Sequence, residues 1–234
     1  MTAAVLFTTL LAAGCGGGGG DSDAKESAST SGSTSAAASG SASATESDAP
    51  AAAPLDEPRL KSAAVTGGDV DGFQITEFPA KPDGGGTARP AACQPLENMR
   101  TASPDPGPKA FVGLLAYAGA GPSAGSATTV GLMAYDQSAA AGILDGLRTA
   151  LKTCTAYEGG VPARTTAESA TAPDAGDDAV AFRLTTSGDS SDAFVVVRTG
   201  ATVVLFYTAS GTGSAAEVPE ALVSAQIKKL EQAA

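Results

Sequence analysis

Residues 178–208 read DAVAFRLTT-SGDSS-DAFVVVRTG-ATVVLFYT, and they contain the clearest strand pattern of the chain. Its β-branched and aromatic residues favour strands, whereas SGDSS and Thr199-Gly200 are typical of turns. The pattern therefore predicts three successive strands, at residues 178–186, 193–198 and 202–208. Because their connections are short, neighbouring strands are expected to pair antiparallel.

Upstream of this stretch, further strands are predicted. Two apolar runs at residues 110–118 and 128–135 are joined by a Gly/Pro/Ser-rich segment, which favours a hairpin with a long connection. A short strand is expected at residues 73–78, after the Asp71-Gly72 turn. The polar stretch 160–171 is expected to hold one weak strand.

Two amphipathic helices are predicted at residues 138–154 and 219–232, and two shorter ones at 55–65 and 94–99. The longer pair repeats apolar residues at the helical period. The residues expected on their buried faces are Ile143, Leu144, Leu147, Leu151 and Cys154 in the first, and Leu222, Val223, Ile227 and Leu230 in the second. These elements predict an α+β fold, with an antiparallel sheet packed with two amphipathic helices.

The N-terminus carries the pattern of a lipoprotein signal. Residues 3–13 are mostly apolar and too few to span a bilayer, and Leu-Ala-Ala-Gly precedes Cys15, as in a bacterial lipobox. We therefore expect residues 1–14 to be a signal peptide and Cys15 to be lipidated. No Lys or Arg precedes the apolar run, so the true start is expected upstream of Met1. The alternative is a buried apolar segment with an incidental Cys.

Residues 15–54 are predicted to be a flexible tether, and residues 55–234 a single domain. The tether consists mainly of Gly, Ser, Ala and Thr, and it lacks the large apolar residues that a folded core needs. Roughly half of the net charge of −11 precedes Pro58, so the domain is only mildly acidic. An acidic chain with pI near 4.3 is a poor partner for nucleic acid.

Two cysteines remain for the domain, Cys93 and Cys154. In an oxidising envelope, an even pair predicts a disulfide. The alternative is two separate buried thiols.

The chain has no His, which excludes mechanisms that need an imidazole. Ser123 lies in a Gly-x-Ser-x-Gly sequence, but the flanking elements do not fit a nucleophile elbow, and no His is present to act as its base. Asp174, Asp177 and Asp178 form the densest acidic cluster, for which turn roles are favoured over a cation site. We therefore expect no catalytic residue, no metal site and no cofactor.

Three arginines are weak candidates for ligand binding. Arg164, Arg183 and Arg198 lie in or beside predicted strands, where converging pairs could hold an anion; solvated surface cations are the alternative. The larger aromatic residues could belong to the core or line an apolar pocket, and at least three of five are expected in the core. Those five are Tyr117, Tyr135, Phe182, Phe206 and Tyr207.

Four segments together carry a family resemblance: residues 139–154, 176–182, 195–206 and 225–230. They resemble the extracellular sensor domain of actinobacterial receptor Ser/Thr kinases of the PknH-like family, a domain that also occurs in free lipoproteins. The resemblance covers residues 55–231 and implies one antiparallel sheet with two helices beside a cleft for an unidentified ligand. It implies no catalytic residues. The family typically has two disulfides, and this domain has cysteines for one.

The sequence therefore predicts a non-enzymatic lipoprotein, held at the outer face of the cell membrane by acylated Cys15. Its expected partners are a small ligand or an envelope component bound in a cleft. Two alternatives remain open. One is a lipid carrier with a hollow apolar cavity, and the other is an envelope assembly or interaction protein.

Overall fold

The structure is a computed structural model that describes residues 53–78, 85–119, 125–159, 163–187, 191–209 and 216–233. The predicted signal peptide with Cys15, nearly all of the predicted tether, and Ser123 lie outside these ranges. No helix in the described ranges is both long and apolar enough to cross a membrane.

The described residues form an eight-stranded sheet with four α-helices. The helices are α1 (Glu57–Ser62), α2 (Gln94–Arg100), α3 (Gln137–Thr153) and α4 (Glu220–Ala233), and a short 3-10 turn at Ala91–Cys93 precedes α2. The strands are β1 (Phe73–Glu77), β2 (Ala110–Ala118), β3 (Ala127–Ala134), β4 (Ala156–Gly159), β5 (Ala163–Ala170), β6 (Asp178–Thr186), β7 (Asp192–Thr199) and β8 (Thr202–Thr208).

Every strand pairs antiparallel with its neighbours, in the order β1-β2-β3-β8-β7-β6-β5-β4. The predicted α+β fold is therefore confirmed, with the quoted stretch forming β6, β7 and β8 at the centre. The polar stretch expected to hold one strand contributes β5, and β4 just before it was not predicted. Both are short of large apolar residues, so little in their sequences marks them as strands.

Helices cover both faces of the sheet, and a hydrophobic core fills each side. Helices α2 and α3 pack on one face, which we call the α3 side, against Phe182, Phe194 and Leu205. Helices α1 and α4 pack on the other face, the α4 side, against Val204 and Phe206. Because successive residues of β8 alternate between the two cores, almost the whole strand is buried, and its centre, Val203–Phe206, is apolar.

The predicted buried faces of the two long helices are largely confirmed. In α3 the expected Ile143, Leu144 and Leu147 are buried, whereas Leu151 is only half-buried. All four residues expected in α4 are buried. The predicted disulfide is present as well: Cys93 and Cys154 are bonded across a sequence separation of 61, which joins the start of α2 to the end of α3.

A polar clamp joins α4 to the end of α1. The fully buried Gln226 accepts a hydrogen bond from the Val65 amide at 3.0 Å and donates one to the Ala63 carbonyl at 2.8 Å. Nearby, Lys229 donates to Asp69 at 2.8 Å, and this bond, together with those from Thr66, lowers the pKa of Asp69 to about 2. The clamp fixes the position of α1 on the sheet.

Candidate ligand-binding site

A crevice lies between α1 and strands β1 and β2, on the α4 side of the sheet. It has a volume of about 300 Å³, which is at the lower end for small-molecule sites. Its apolar walls are Ala64, Val65, Ile75, Val112 and Leu114. All of these except Ile75 are buried. The crevice therefore offers a compact apolar group a preformed surface.

An ion pair marks the mouth of the crevice. Lys61 of α1 reaches Glu77 of β1 at 2.7 Å, and both side chains are more than half exposed. An exposed ion pair of this kind contributes little to the stability of the fold. A ligand can therefore displace Lys61 or Glu77 from the pair with little loss of free energy. The wall on the α1 side is held by the Gln226 clamp. The crevice thus combines a fixed apolar wall with a polar rim that can rearrange.

The opposite side of the same two strands is open to solvent. Among the described residues, the exposed large apolar side chains are Phe78, Leu115 and Tyr117, with exposed fractions of 46 %, 36 % and 46 %. Phe78 pairs with Gly113 just beyond β1, whereas Leu115 and Tyr117 alternate along β2. The pleat directs all three to the α3 side. We call this surface the open face.

The ring of Phe111 extends the open face towards the core. A Cβ at Gly113 would lie 3.1 Å from this ring, and one at Gly131 would lie 3.4 Å from it. The two glycines, on neighbouring strands β2 and β3, therefore let the ring lie close to the backbone. The Phe111 ring therefore covers both glycines and adds apolar area next to Leu115.

Thr129 and Tyr207 continue this surface across the sheet. Direct cross-strand partners run from Thr76 through Leu115 and Thr129 to Tyr207. The Tyr207 ring stacks on Phe194, which stacks on the buried Phe182. The Tyr207 hydroxyl donates to Asp192 at 3.2 Å, and burial together with this carboxylate raises the pKa of Tyr207 to about 12. The hydroxyl therefore stays protonated at neutral pH.

A buried ion pair lies in α2, near Tyr207. The Glu97 carboxylate is fully buried and accepts two bonds from Arg100, at 2.6 and 2.8 Å. This contact raises the pKa of Arg100. The Tyr157 hydroxyl lies buried beside the pair, and burial together with the Glu97 carboxylate raises its pKa. The sequence pattern gave no sign of this cluster, because a single Glu on a short helix is usually solvated.

The three candidate arginines do not form one site. Arg183 donates to the Ala216 carbonyl on the α4 side, and Arg198 donates to Asp177 at 3.0 Å on the α3 side. Their strand positions place these two on opposite faces of the sheet. Arg164 is exposed on β5, on the same side as Arg183. Ligand binding by any of the three therefore remains a prediction.

Two members of the acidic cluster, Asp177 and Asp178, make contacts within the protein. Asp177 accepts from the Gly200 amide at 2.7 Å and from Arg198, while Asp178 pairs with Arg148 of α3. In the described residues, no group of three or more Cys, Asp or Glu side chains is placed to hold a metal ion. The contacts of Asp177 and Asp178 link β6, β7 and α3.

The five aromatic residues divide between core and surface. Tyr135, Phe182 and Phe206 are buried, which confirms the expectation of at least three in the core. Tyr117 and Tyr207 line the open face instead. A separate hollow between α2 and α3 has a volume of about 60 Å³, enough for about two waters. Within the described part of the chain, the crevice and the open face are therefore the surfaces considered for a functional role.

No protein-family model and no curated protein matches the chain. Among solved structures, the extracellular domain of PknH from Mycobacterium tuberculosis superposes with a TM-score of 0.52 at 12 % identity, over 77 % of this chain and 97 % of that one. An uncharacterised Mycobacterium smegmatis protein superposes with a TM-score of 0.35 at 15 % identity, over 75 % of this chain and 92 % of that one. The PknH comparison shows that this chain has the fold of a PknH-like extracellular sensor domain.

Proposed function

We propose that this protein is a non-enzymatic, lipid-anchored extracytoplasmic binding protein that takes a small ligand in the crevice between α1 and β1–β2. Acylated Cys15 holds the chain at the membrane, and the tether lets the domain reach ligands away from it. The fold of an extracellular sensor domain supports this location, as does the lipobox pattern before Cys15.

The crevice is the observation that carries the ligand-binding part of the proposal. Its volume of about 300 Å³ admits a small molecule, and its walls are apolar. Lys61 and Glu77 at the mouth supply one positive and one negative group. The ligand class that fits is a compact apolar group with a polar or charged end. The apolar group enters the crevice, and the polar end contacts the rim.

Val112→Phe tests this site, because the larger side chain enters the crevice from β2. We expect it to raise the Kd for N-phenyl-1-naphthylamine, an uncharged apolar dye, by about tenfold or more through lost apolar contact. Dye fluorescence in a titration of the full chain measures the effect. Leu115→Ala is the matched control, since Leu115 lies on the same strand with its side chain on the open face. Equal dye affinity in Val112→Phe and wild type contradicts the proposal.

Metabolic labelling with a radioactive fatty acid tests the anchor. We expect the label in wild-type protein and none in Cys15→Ala, because the Cys15 thiol is the predicted acylation site. The variant is also expected to leave the membrane fraction. Unlabelled wild type, or equal label in the variant, rules out this anchor.

A further inference from the structure

We propose that the open face binds a neutral polysaccharide, independently of the crevice on the other side of the sheet. The proposal begins with the three exposed apolar side chains Phe78, Leu115 and Tyr117, which lie together on the α3 side of β1 and β2. Elsewhere in the described residues, large apolar side chains are buried or half-buried. Such a concentration of exposed apolar groups is typical of a binding surface.

The open face alternates apolar and hydrogen-bonding groups. Leu115 lies between Thr76 and Thr129 across the strands, and Tyr117 lies directly opposite Gln74. The Thr hydroxyls, the Gln amide and the Tyr hydroxyl can each donate and accept. They are spaced within one apolar surface, so a ligand that covers it must offer both hydrogen-bonding groups and apolar area.

The open face is also uncharged. None of its members is Lys, Arg, Asp or Glu, in a chain with a net charge of −11. The Arg100 guanidinium of α2, which interacts with Tyr207, is bound by Glu97, and the Tyr207 hydroxyl donates to Asp192. The face itself therefore offers an anionic ligand no cation. Charge complementarity favours a neutral ligand. The groups at its centre are Gln74, Thr76, Phe78, Leu115, Tyr117 and Thr129.

A neutral sugar polymer has the matching chemistry. One side of a pyranose ring carries several C–H bonds, which are attracted to the negative face of an aromatic ring such as that of Tyr117. Its hydroxyls then reach the flanking Gln74, Thr76 and Thr129. A polymer can contact successive strands of the face, from β1 through β2 to β3, and strand faces of other folds bind oligosaccharides.

Affinity electrophoresis of the full chain tests the proposal. Native gels contain a neutral galactan, a neutral glucan or a neutral mannan, and a gel without polysaccharide is the reference. We expect retardation of the wild type in at least one of them, and an approximately tenfold higher Kd for Tyr117→Ala, because the stacking ring is lost. Tyr117→Phe keeps the ring and should retain most of the affinity.

Val112→Phe is the second control, since it fills the crevice and should leave polysaccharide binding unchanged. Unaltered mobility of wild type in all three gels overturns the proposal, and so does retardation that persists in Tyr117→Ala. Flotation of the wild type with neutral phosphatidylcholine vesicles, lost in Tyr117→Ala and without any polysaccharide retardation, would identify a lipid surface as the occupant instead. The dye titration tests the crevice separately, so the polysaccharide proposal can fail without affecting the proposal for the crevice.

Discussion

Replacing both Cys93 and Cys154 by Ala is expected to lower the free energy of unfolding by about 4 kcal/mol. The disulfide closes a loop with a sequence separation of 61, so most of its effect comes from restricting the unfolded chain. Both cysteines are buried, and the smaller Ala adds a modest packing loss. Denaturant unfolding followed by circular dichroism measures the change, with a fall in Tm of roughly 10–15 °C.

Reduced wild-type protein is the matched control, because it loses the cross-link while keeping the side-chain volumes. It should lose nearly as much stability as the double variant. If oxidised wild type and the double variant differ by less than about 1 kcal/mol, the disulfide does not have the stabilising role given to it here.

Arg100→Met is expected to lower the free energy of unfolding by about 3 kcal/mol. Met keeps much of the aliphatic stem, but the fully buried Glu97 carboxylate loses both of its hydrogen bonds from the guanidinium. An unpaired buried charge is among the most destabilising consequences of a single substitution. Since Arg100 itself is partly exposed, the expected value lies at the low end for broken buried pairs.

Two further variants separate this effect from simple loss of packing. Lys109→Met breaks the exposed ion pair with Asp136 and should cost less than about 1 kcal/mol. Adding Glu97→Gln to Arg100→Met removes the stranded charge and should recover part of the loss in a double-mutant cycle. An Arg100→Met cost equal to that of Lys109→Met would contradict this account.

The sequence predicted the central strands well, because they are dense in β-branched and aromatic residues. The observed bounds of β2, β6 and β8 equal those expected, and β7 extends the expected strand by one residue at each end. In each of these strands, the residues of the strand itself are enough to predict it. Strands β4 and β5 are polar and contain few β-branched or large apolar residues, which explains why β4 was not predicted.

The candidate site depends on contacts between residues that are far apart in the sequence, and the pattern within a single helix or strand does not predict such contacts. Gln226 and Glu97 are fully buried, although Gln and Glu side chains are mostly exposed in folded proteins. The open face exists because β1 pairs with β2 at one end of the sheet and helix α3 packs on β5 to β8. In β2, apolar residues alternate with other apolar residues, so the sequence does not distinguish the covered side from the open side. The open side can be identified only when the order of the strands in the sheet is known.

Native mass spectrometry of the full chain released from its own membranes tests most directly the claim that the crevice holds a small ligand. Wild type should carry a bound mass beyond the chain and its acyl groups, and Val112→Phe, purified alongside it, should lack this mass. Leu115→Ala should keep it, because Leu115 faces away from the crevice. A wild-type protein without added mass, or one whose bound molecule persists in Val112→Phe, would contradict the account.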